Sequence, residues 1–227
     1  MAIQLAKNSG INLTKKVDNV VQELKQIKLG CGWKESKGYY TKVEEVTKTV
    51  RKGFLGLGGT ETITEQVVRR IPTGNIDIDT SVLAYRDGKL VGKCYFGNQT
   101  MRTQKGVVAQ SSGDNLHGST GKKDDETITI NINNIEGFAD TLYLILNIYG
   151  ADVRQQHFNM VENSYVRVYD DKGMEMARFD LAEDYEDMTG VVVGKLVKVD
   201  GVFQFIALGD GVKVRGIEDF AKKLTRY

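Results

Sequence analysis

Acidic and amide side chains are concentrated in one short segment, residues 113–126, which reads GDNLHGSTGKKDDE. These side chains are Asp114, Asn115, Asp124, Asp125 and Glu126. Because neighbouring carboxylates repel one another, such a cluster is unfavourable unless a cation neutralises it. Carboxylate and amide oxygens are hard ligands, which suit calcium better than zinc or copper. This acidic loop is therefore a candidate calcium site.

A second acidic pair, Asp77 and Asp79, lies upstream in the segment IDIDTS. If this segment is a strand, both carboxylates point to one face about 7 Å apart, and Ile76 and Ile78 face the core. Two carboxylates do not complete a calcium site, because calcium takes about six to eight oxygens. The acidic loop can supply the others, although its spacing is not that of an EF-hand.

The acidic loop is also compatible with a role that involves no ion. In that alternative Asp114 caps a turn. Lys122 and Lys123 then neutralise the neighbouring carboxylates, and the whole loop stays solvated. The residue types by themselves leave both interpretations open.

Composition excludes several classes of protein. The chain has 227 residues and a formal net charge of +1, so bulk charge does not indicate a nucleic-acid partner. The N-terminus has no apolar core of signal-peptide length, and no run approaches the roughly 18 apolar residues of a membrane span. The two cysteines, Cys31 and Cys94, lie in apolar segments and predict buried free thiols. We expect a soluble, cytoplasmic protein.

Catalytic motifs are absent from the sequence. The only two histidines are His117, in the acidic loop, and His157, which we expect to pack or to face solvent. No GxSxG or HExxH pattern occurs. The glycine-rich segment RKGFLGLGG matches neither phosphate-loop pattern. We therefore expect a protein that is not an enzyme.

The elements that must position the acidic residues are mostly strands. There are 25 glycines and one proline between runs rich in β-branched and aromatic residues, which is typical of an all-β protein. Two strands are predicted in 2–14 and one in 25–33, and the apolar run 141–150 (TLYLILNIYG) predicts a central strand. Hairpin turns are predicted at Asp87-Gly88, Asp171-Lys172-Gly173 and Asp200-Gly201.

Helical spacing is rarer. It predicts a short helix in 17–24, another in 152–163 capped by Asp152, and an amphipathic terminal helix from Ile217. With at least ten strands, the chain is predicted to form a single domain, 1–227. Its fold is a β-sandwich of two mostly antiparallel sheets with one or two short peripheral helices.

A long β-hairpin is predicted at 41–70, where two β-rich runs flank a glycine-rich centre. Its tip carries Phe54, Leu55 and Leu57. These apolar residues either fold back on the domain or form an anchor that docks on a partner or a neighbouring copy.

An ordered set of motifs resembles the TerD family of tellurium-resistance and stress proteins. The set is IDIDTS, FGNQ, GDNLHG, DDETITI, FNMVENSYVRVYD, GMEMARFDL and GKLVKVDGVFQFIALGDG. The family consensus runs roughly FDLDAS, FYNN or FYNQ, GDNLTG and GDDE, and continues with FxxVxNAFIRV, EIARYDL and GELYRxxGxWKFxAxGxG. The similarity covers nearly all of 2–15 and 25–211 outside the hairpin.

The resemblance implies a calcium-binding β-sandwich, usually with two neighbouring ions. Position by position, it assigns the ligands to Asp77, Asp79, Asn98, Asp114, Asn115, Asp124, Asp125 and Glu126. Relative to the family, residues 34–75 are an insertion that contains the hairpin. The family's GEGDGDDE becomes GSTGKKDDE, which exchanges acids for lysines and leaves one or two calcium ions expected.

Two functions are expected, beside a third hypothesis of surface binding to a membrane or to nucleic acid through the basic arm and tail. The first is a calcium-binding stress or tellurium-resistance module that binds protein partners through an ion-ordered acidic loop. The alternative is a structural or assembly protein that oligomerises through the hairpin arm. A phage source is compatible with the resemblance, because phages carry family members. Neither function involves a specific nucleic acid or a transmembrane segment.

Overall fold

The computed structural model divides the chain into two compact units, one formed by 1–36 with 75–227 and one by 37–74. It describes residues 2–18, 20–35, 39–51, 59–72, 74–116, 118–119, 123–181, 185 and 187–225. The predicted hairpin tip (Phe54, Leu55, Leu57), His117 and Lys122 lie outside the described residues.

Strands dominate both units. In chain order they are β1 (Ile3–Gln4), β2 (Gly10–Asn12), β3 (Thr14–Val17), β4 (Val20–Glu23), β5 (Gln26–Glu35), β6 (Tyr39–Arg51), β7 (Thr60–Pro72), β8 (Ile78–Arg86), β9 (Lys89–Cys94), β10 (Thr100–Thr103), β11 (Gly106–Ser111), β12 (Glu126–Asn131), β13 (Thr141–Ile148), β14 (Val161–Tyr169), β15 (Glu175–Asp180), β16 (Gly190–Val199) and β17 (Val202–Val212). The described α-helices are α1 (Ala151–Arg154) and α2 (Ile217–Leu224). Single 3₁₀ turns span Ile132–Asn134 and Phe158–Met160.

The larger unit is the predicted β-sandwich. One sheet has seven strands in the order β1-β15-β14-β5-β12-β11-β10, and the other has six in the order β2-β17-β16-β13-β8-β9. The described pairings between strands of these two sheets are antiparallel except for β1 with β15. Alternate residues of β5, from Ile27 to Trp33, and of β12 are buried in the core. Cys31 and Cys94 are buried and free, as predicted.

The six-stranded sheet is buried on both faces in its middle. Strand β13 is central, as predicted, because it pairs with β8 on one side and β16 on the other. Its outer face is covered by the predicted terminal helix α2, where Phe220 and Leu224 pack on Leu83 and Tyr143. The covering helix explains why β13 is apolar on both faces.

Neither described helix could cross a membrane, since α2 has 8 residues and α1 has 4.

The prediction of a helix at 17–24 is wrong. Strands β3 and β4 form a separate two-stranded hairpin in which Val17 pairs with Val20, and Asp18 in the turn has a φ of 50°. Val20 and Val21 are exposed, whereas Leu24 is fully buried. The apolar residues therefore do not share a buried helical face, and the segment is too short for its spacing to distinguish the two structures.

The prediction of a helix at 152–163 is largely wrong as well. Helix α1 ends after Arg154, because Gln155 has a φ of 54°. Asp152 lies inside the first turn, and the residue that precedes the helix is Gly150. The apolar residues that suggested a longer helix include Phe158, which is buried in the following 3₁₀ turn.

The smaller unit is the predicted hairpin. Strands β6 and β7 have 13 residues each and pair continuously from Tyr39↔Pro72 to Arg51↔Thr60. Within the described part of this unit they pair only with each other. Val43 and Val68 lie directly opposite and are 57% and 62% exposed.

Removing the buried ring of α2 tests how far this helix supports the outer face. Phe220→Ala should lower the free energy of unfolding by about 3 to 5 kcal/mol, because the ring is fully buried in the apolar cluster. Lys222→Ala, on the exposed side of the same helix, should change it by less than about 0.5 kcal/mol. Urea unfolding measures both. Equal effects would show that the packing of α2 contributes little.

Candidate metal centre

Three of the predicted ligands come together at one edge of the sandwich. Asp77, Asp79 and Asp114 each place a carboxylate oxygen within 4.8 Å of the other two. Asp77 and Asp79 are only 6% and 4% exposed, whereas Asp114 is exposed. We call these three residues the carboxylate cluster. It combines two carboxylates from one strand end with one from the acidic loop, as the sequence suggested.

The strand geometry of β8 positions the first two carboxylates. Asp79 pairs with Asn147 of β13, and the Tyr149 N–H donates to the Asp77 carbonyl at 2.8 Å. The ladder therefore continues to Asp77, and alternation puts both side chains on the outer face of the six-stranded sheet.

Asn147 is a site residue that sequence reasoning missed. Its Nδ2 donates to Asp79 Oδ2 at 3.1 Å, and both side chains are buried. A signal was present in the sequence, because Asn147 is a polar residue in the otherwise apolar run TLYLILNIYG. A buried amide in such a strand requires a hydrogen-bond partner.

Glu126 connects the acidic loop to β8. Its Oε2 accepts the Thr80 N–H at 2.8 Å, and its Oε1 accepts the Asn115 N–H at 3.1 Å. The pairing of β9 with β8 ends at Val82↔Cys94. Beyond that point the Glu126 carboxylate, in place of a strand, accepts the backbone N–H of β8. Glu126 thus fixes Asn115, and with it the adjacent Asp114, beside β8.

Burial and crowding change the acidity of these carboxyl groups. Burial, followed by the charges of Asp77, Glu126 and Asp114, raises the pKa of Asp79 to about 7, against the opposing hydrogen bond from Asn147. Burial also raises the pKa of Glu126 to about 7, although the backbone N–H groups of Asn115 and Thr80 favour its ionised form. Burial and the neighbouring carboxylates therefore disfavour the ionised forms of these two groups.

Asp125 is directed to the backbone of β5. Its Oδ2 accepts the Trp33 N–H at 2.9 Å, and its own N–H donates to the Cys31 carbonyl at 2.7 Å. The Asn115 amide lies 3.5 Å from Asp125 Oδ1. These contacts attach the end of the acidic loop to the seven-stranded sheet.

Asp124 is engaged on the seven-stranded sheet and does not join the carboxylate cluster. The Tyr169 hydroxyl donates to Asp124 Oδ2 at 2.6 Å, and Arg167 Nη1 lies 3.7 Å from Oδ1. The carboxylate lies against Gly30, where any side chain would collide with it. Asp124 therefore anchors the loop through hydrogen bonds and charge pairing.

Asn98 holds a turn. Its Nδ2 donates to the Lys93 carbonyl at 2.9 Å, and its backbone pairs with that of Tyr95. The side chain is exposed. Metal ligation by all eight predicted residues, the three of the carboxylate cluster included, stays a prediction.

Comparison with known proteins agrees with this architecture. The family model described as TerD domain matches residues 1–224. The chain is 32% identical over 234 residues to stress response protein SCP2 of Bacillus subtilis (strain 168), which covers 100% of both chains. It is 31% identical over 220 residues to tellurium resistance protein TerZ of Serratia marcescens, which covers 96% of this chain and 94% of the relative.

A solved structure has the same fold. The crystal structure of a homologue of telluride resistance protein (TerD) from Streptomyces coelicolor A3(2) superposes with a TM-score of 0.58 at 16% identity, covering 89% of this chain and 98% of that chain. Since the family model also spans nearly the whole chain, this protein belongs to the TerD domain family.

Proposed function

We propose that this protein is a calcium-binding module of the TerD family that acts in a stress or tellurium-resistance response. The observation that carries the proposal is the carboxylate cluster of Asp77, Asp79 and Asp114. Two of its members are nearly buried, and their mutual repulsion is unfavourable without a compensating cation. The names of the relatives, a stress response protein and a tellurium resistance protein, support the proposed response.

The donor chemistry favours calcium over softer metals. The cluster offers carboxylate oxygens, and the nearest buried amide, Asn147, contacts Asp79. Calcium accepts such hard oxygens in flexible geometry and takes carbonyl or water oxygens as well. A bound ion would offset the negative charge of the three carboxylates. Among the described residues only one such group of three occurs, which supports one ion.

We propose that the ion acts by ordering a surface. Asp114 belongs to the loop and is exposed, whereas Asp77 and Asp79 belong to a rigid strand end. A cation that binds all three would stiffen the loop where it meets solvent. Such a surface suits binding of a protein partner, and we expect binding rather than catalysis.

Calcium should stabilise the protein against heat. With calcium at a hundredfold excess over its dissociation constant, the native state gains about 2.7 kcal/mol, because the ion binds the folded cluster. Asp77→Asn/Asp114→Asn should abolish the gain, because it removes two of the three charges. Thermal unfolding of metal-stripped protein with and without calcium measures this.

The matched control is Asp152→Asn, which neutralises an exposed carboxylate of α1. This variant should respond to calcium as the wild type does. A wild-type protein whose unfolding temperature ignores saturating calcium would contradict the proposed function.

Protons should compete with calcium. The folded-state pKa of Asp79 lies near 7, above its usual 3.8, so the folded state retains a proton that the unfolded state releases. Between about pH 4 and pH 7, the free energy of unfolding of metal-free protein should therefore fall as the pH rises. Asp79→Asn should reduce this pH dependence, and the share that comes from Glu126, whose pKa is also raised to about 7, should remain. Urea unfolding of both proteins at several pH values measures the difference.

Calorimetry gives an independent measurement of the same competition. Calcium binding at about pH 6 should release more protons than binding at about pH 8, because the carboxyl groups must ionise to bind. Titrations in two buffers of different ionisation enthalpy report the number of protons. Equal release at both pH values would argue against Asp79 as a ligand.

We also propose self-association through the hairpin as a second role. An isolated two-stranded hairpin is marginally stable in water. Here the opposed pair Val43 and Val68 is left exposed. A second copy of the chain would cover these apolar side chains.

Deleting residues 43–68 and joining Lys42 to Arg69 through an Asn-Gly turn tests this role. These two residues are directly paired, so a two-residue turn can connect them. The variant should have the mass of one chain in light scattering and should keep the calcium-dependent stabilisation, whereas the full chain should have a larger mass. If the full chain and the deletion variant contain the same number of chains per particle, self-association through the hairpin is rejected.

A further inference from the structure

A cavity of about 520 Å³ opens beside the carboxylate cluster. Its wall includes Asp79 and Asn147 from the six-stranded sheet, and Ile217 from the start of α2. Small-molecule sites are concave, mostly apolar and of about 300 to 1,000 Å³, with a few polar groups that fix orientation. The cavity has the size and the mixed lining of such a site.

Aromatic rings form one wall of the cavity. Tyr95 and Phe96 pack edge to face with ring centroids 5.4 Å apart, and Phe96 and Tyr149 do so at 5.8 Å. Phe96 and Tyr149 are still 42% and 50% exposed. Neighbouring rings are nearly perpendicular, with interplanar angles of 86° and 85°, so they form an angled apolar wall. An aromatic ligand can pack against such a wall with its face on one ring and its edge on another.

Two arginines line the same cavity. Arg154 and Arg215 are both exposed, and the Arg154 guanidinium lies 5.8 Å from the centroid of the Tyr149 ring. Within the described residues neither side chain forms an ion pair. A guanidinium presents a planar set of donors that matches a carboxylate or a phosphate.

The cavity also shares a residue with the proposed cation site. Asp79 lines the cavity and belongs to the carboxylate cluster. Without a cation, the charges of that cluster repel an anion in the cavity. A bound cation would remove the repulsion and favour the anion. This part of the inference rests on the proposed function.

We propose that this cavity binds a small organic anion with a planar aromatic body. The rings of Tyr95, Phe96 and Tyr149 contact the body, and Arg154 and Arg215 bind a carboxylate or phosphate group. Affinity for the anion rises when calcium occupies the neighbouring cluster.

Binding of matched naphthalene compounds to the full chain tests the proposal. The probes are 2-naphthoate and 2-naphthyl phosphate, and the neutral control is 2-naphthamide. Calorimetry should give at least tenfold tighter binding for one of the anions than for the amide. The comparison of the two anions identifies the oxyanion that the arginines prefer.

Two double variants test whether the charges of Arg154 and Arg215 contribute to anion binding. Arg154→Gln/Arg215→Gln should weaken anion binding at least tenfold and leave amide binding unchanged. Lys89→Gln/Arg102→Gln removes the same charge from exposed residues outside the cavity wall and should bind the anions as the wild type does. Thermal unfolding checks that both variants are folded. If neither anion binds, or if the arginine variant binds it as well as the wild type, the proposal is overturned.

Titrations in calcium and in EDTA distinguish a failure of the anion site from a failure of the proposed calcium binding. Calcium binding is measured by itself first, and the anion titrations are then done in calcium and in EDTA. If calcium binds but leaves anion affinity unchanged, the coupling is overturned. If calcium does not bind, the proposed function fails, and the arginine variants in EDTA still decide whether the cavity is an anion site.

Discussion

The buried carboxylate of Glu126 is the interaction on which the arrangement of the candidate site depends. It is only 3% exposed and accepts backbone N–H groups from two separate segments, at Thr80 and Asn115. Burying a carboxylate is costly unless it is hydrogen-bonded. The two N–H groups stabilise the buried carboxylate, and the carboxylate satisfies both donors. Because β9 stops before it reaches Thr80, the strand edge would otherwise leave a buried donor unsatisfied. One side chain thereby completes the sheet edge and brings Asp114 to Asp77 and Asp79.

Three consecutive acids have three different structural roles. Asp124 lies against Gly30 beneath Tyr169, Asp125 binds the backbone of β5, and Glu126 points into the space between the sheets. In sequence they read as one cluster, and neighbouring charges suggest a common ion. Asp124 and Asp125 precede β12, however, so strand alternation does not align them with Glu126, and each of the three carboxylates is held by its own hydrogen-bond partners. The loop is thus attached at several places before any ion binds, which leaves Asp114 as its contribution to the carboxylate cluster.

The sequence was sufficient to predict the elements whose patterns are long or whose turns are specific. The hairpin β6–β7, the turns at Asp87 and Asp200, the central β13 and the amphipathic α2 are all present. Short patterns failed, because eight residues in 17–24 fit a helix as well as a two-stranded hairpin. The partnership of Asn147 with Asp79 depends on strand register, which is set by long-range pairing between β8 and β13. Sequence spacing could place Asp77 and Asp79 on one face, but it could not show which loop side chain reaches them.

The same strand faces carry both the packing of α2 and the candidate site. On β8, side-chain alternation puts Asp79 and Ser81 in line with Leu83 and Tyr85, and on β13 it puts Asn147 in line with Ile145 and Tyr143. The apolar half of this face is covered by α2, and the Tyr85 hydroxyl donates to the Ala221 carbonyl at 2.7 Å. The polar half is left to the carboxylate cluster and the cavity, whose wall includes the first residue of α2. Because one rigid pair of central strands serves both halves, the packing of α2 fixes the cavity wall relative to Asp79. The geometry that an ion or an anion would meet is therefore set by the core, and the acidic loop adds one exposed carboxylate to it.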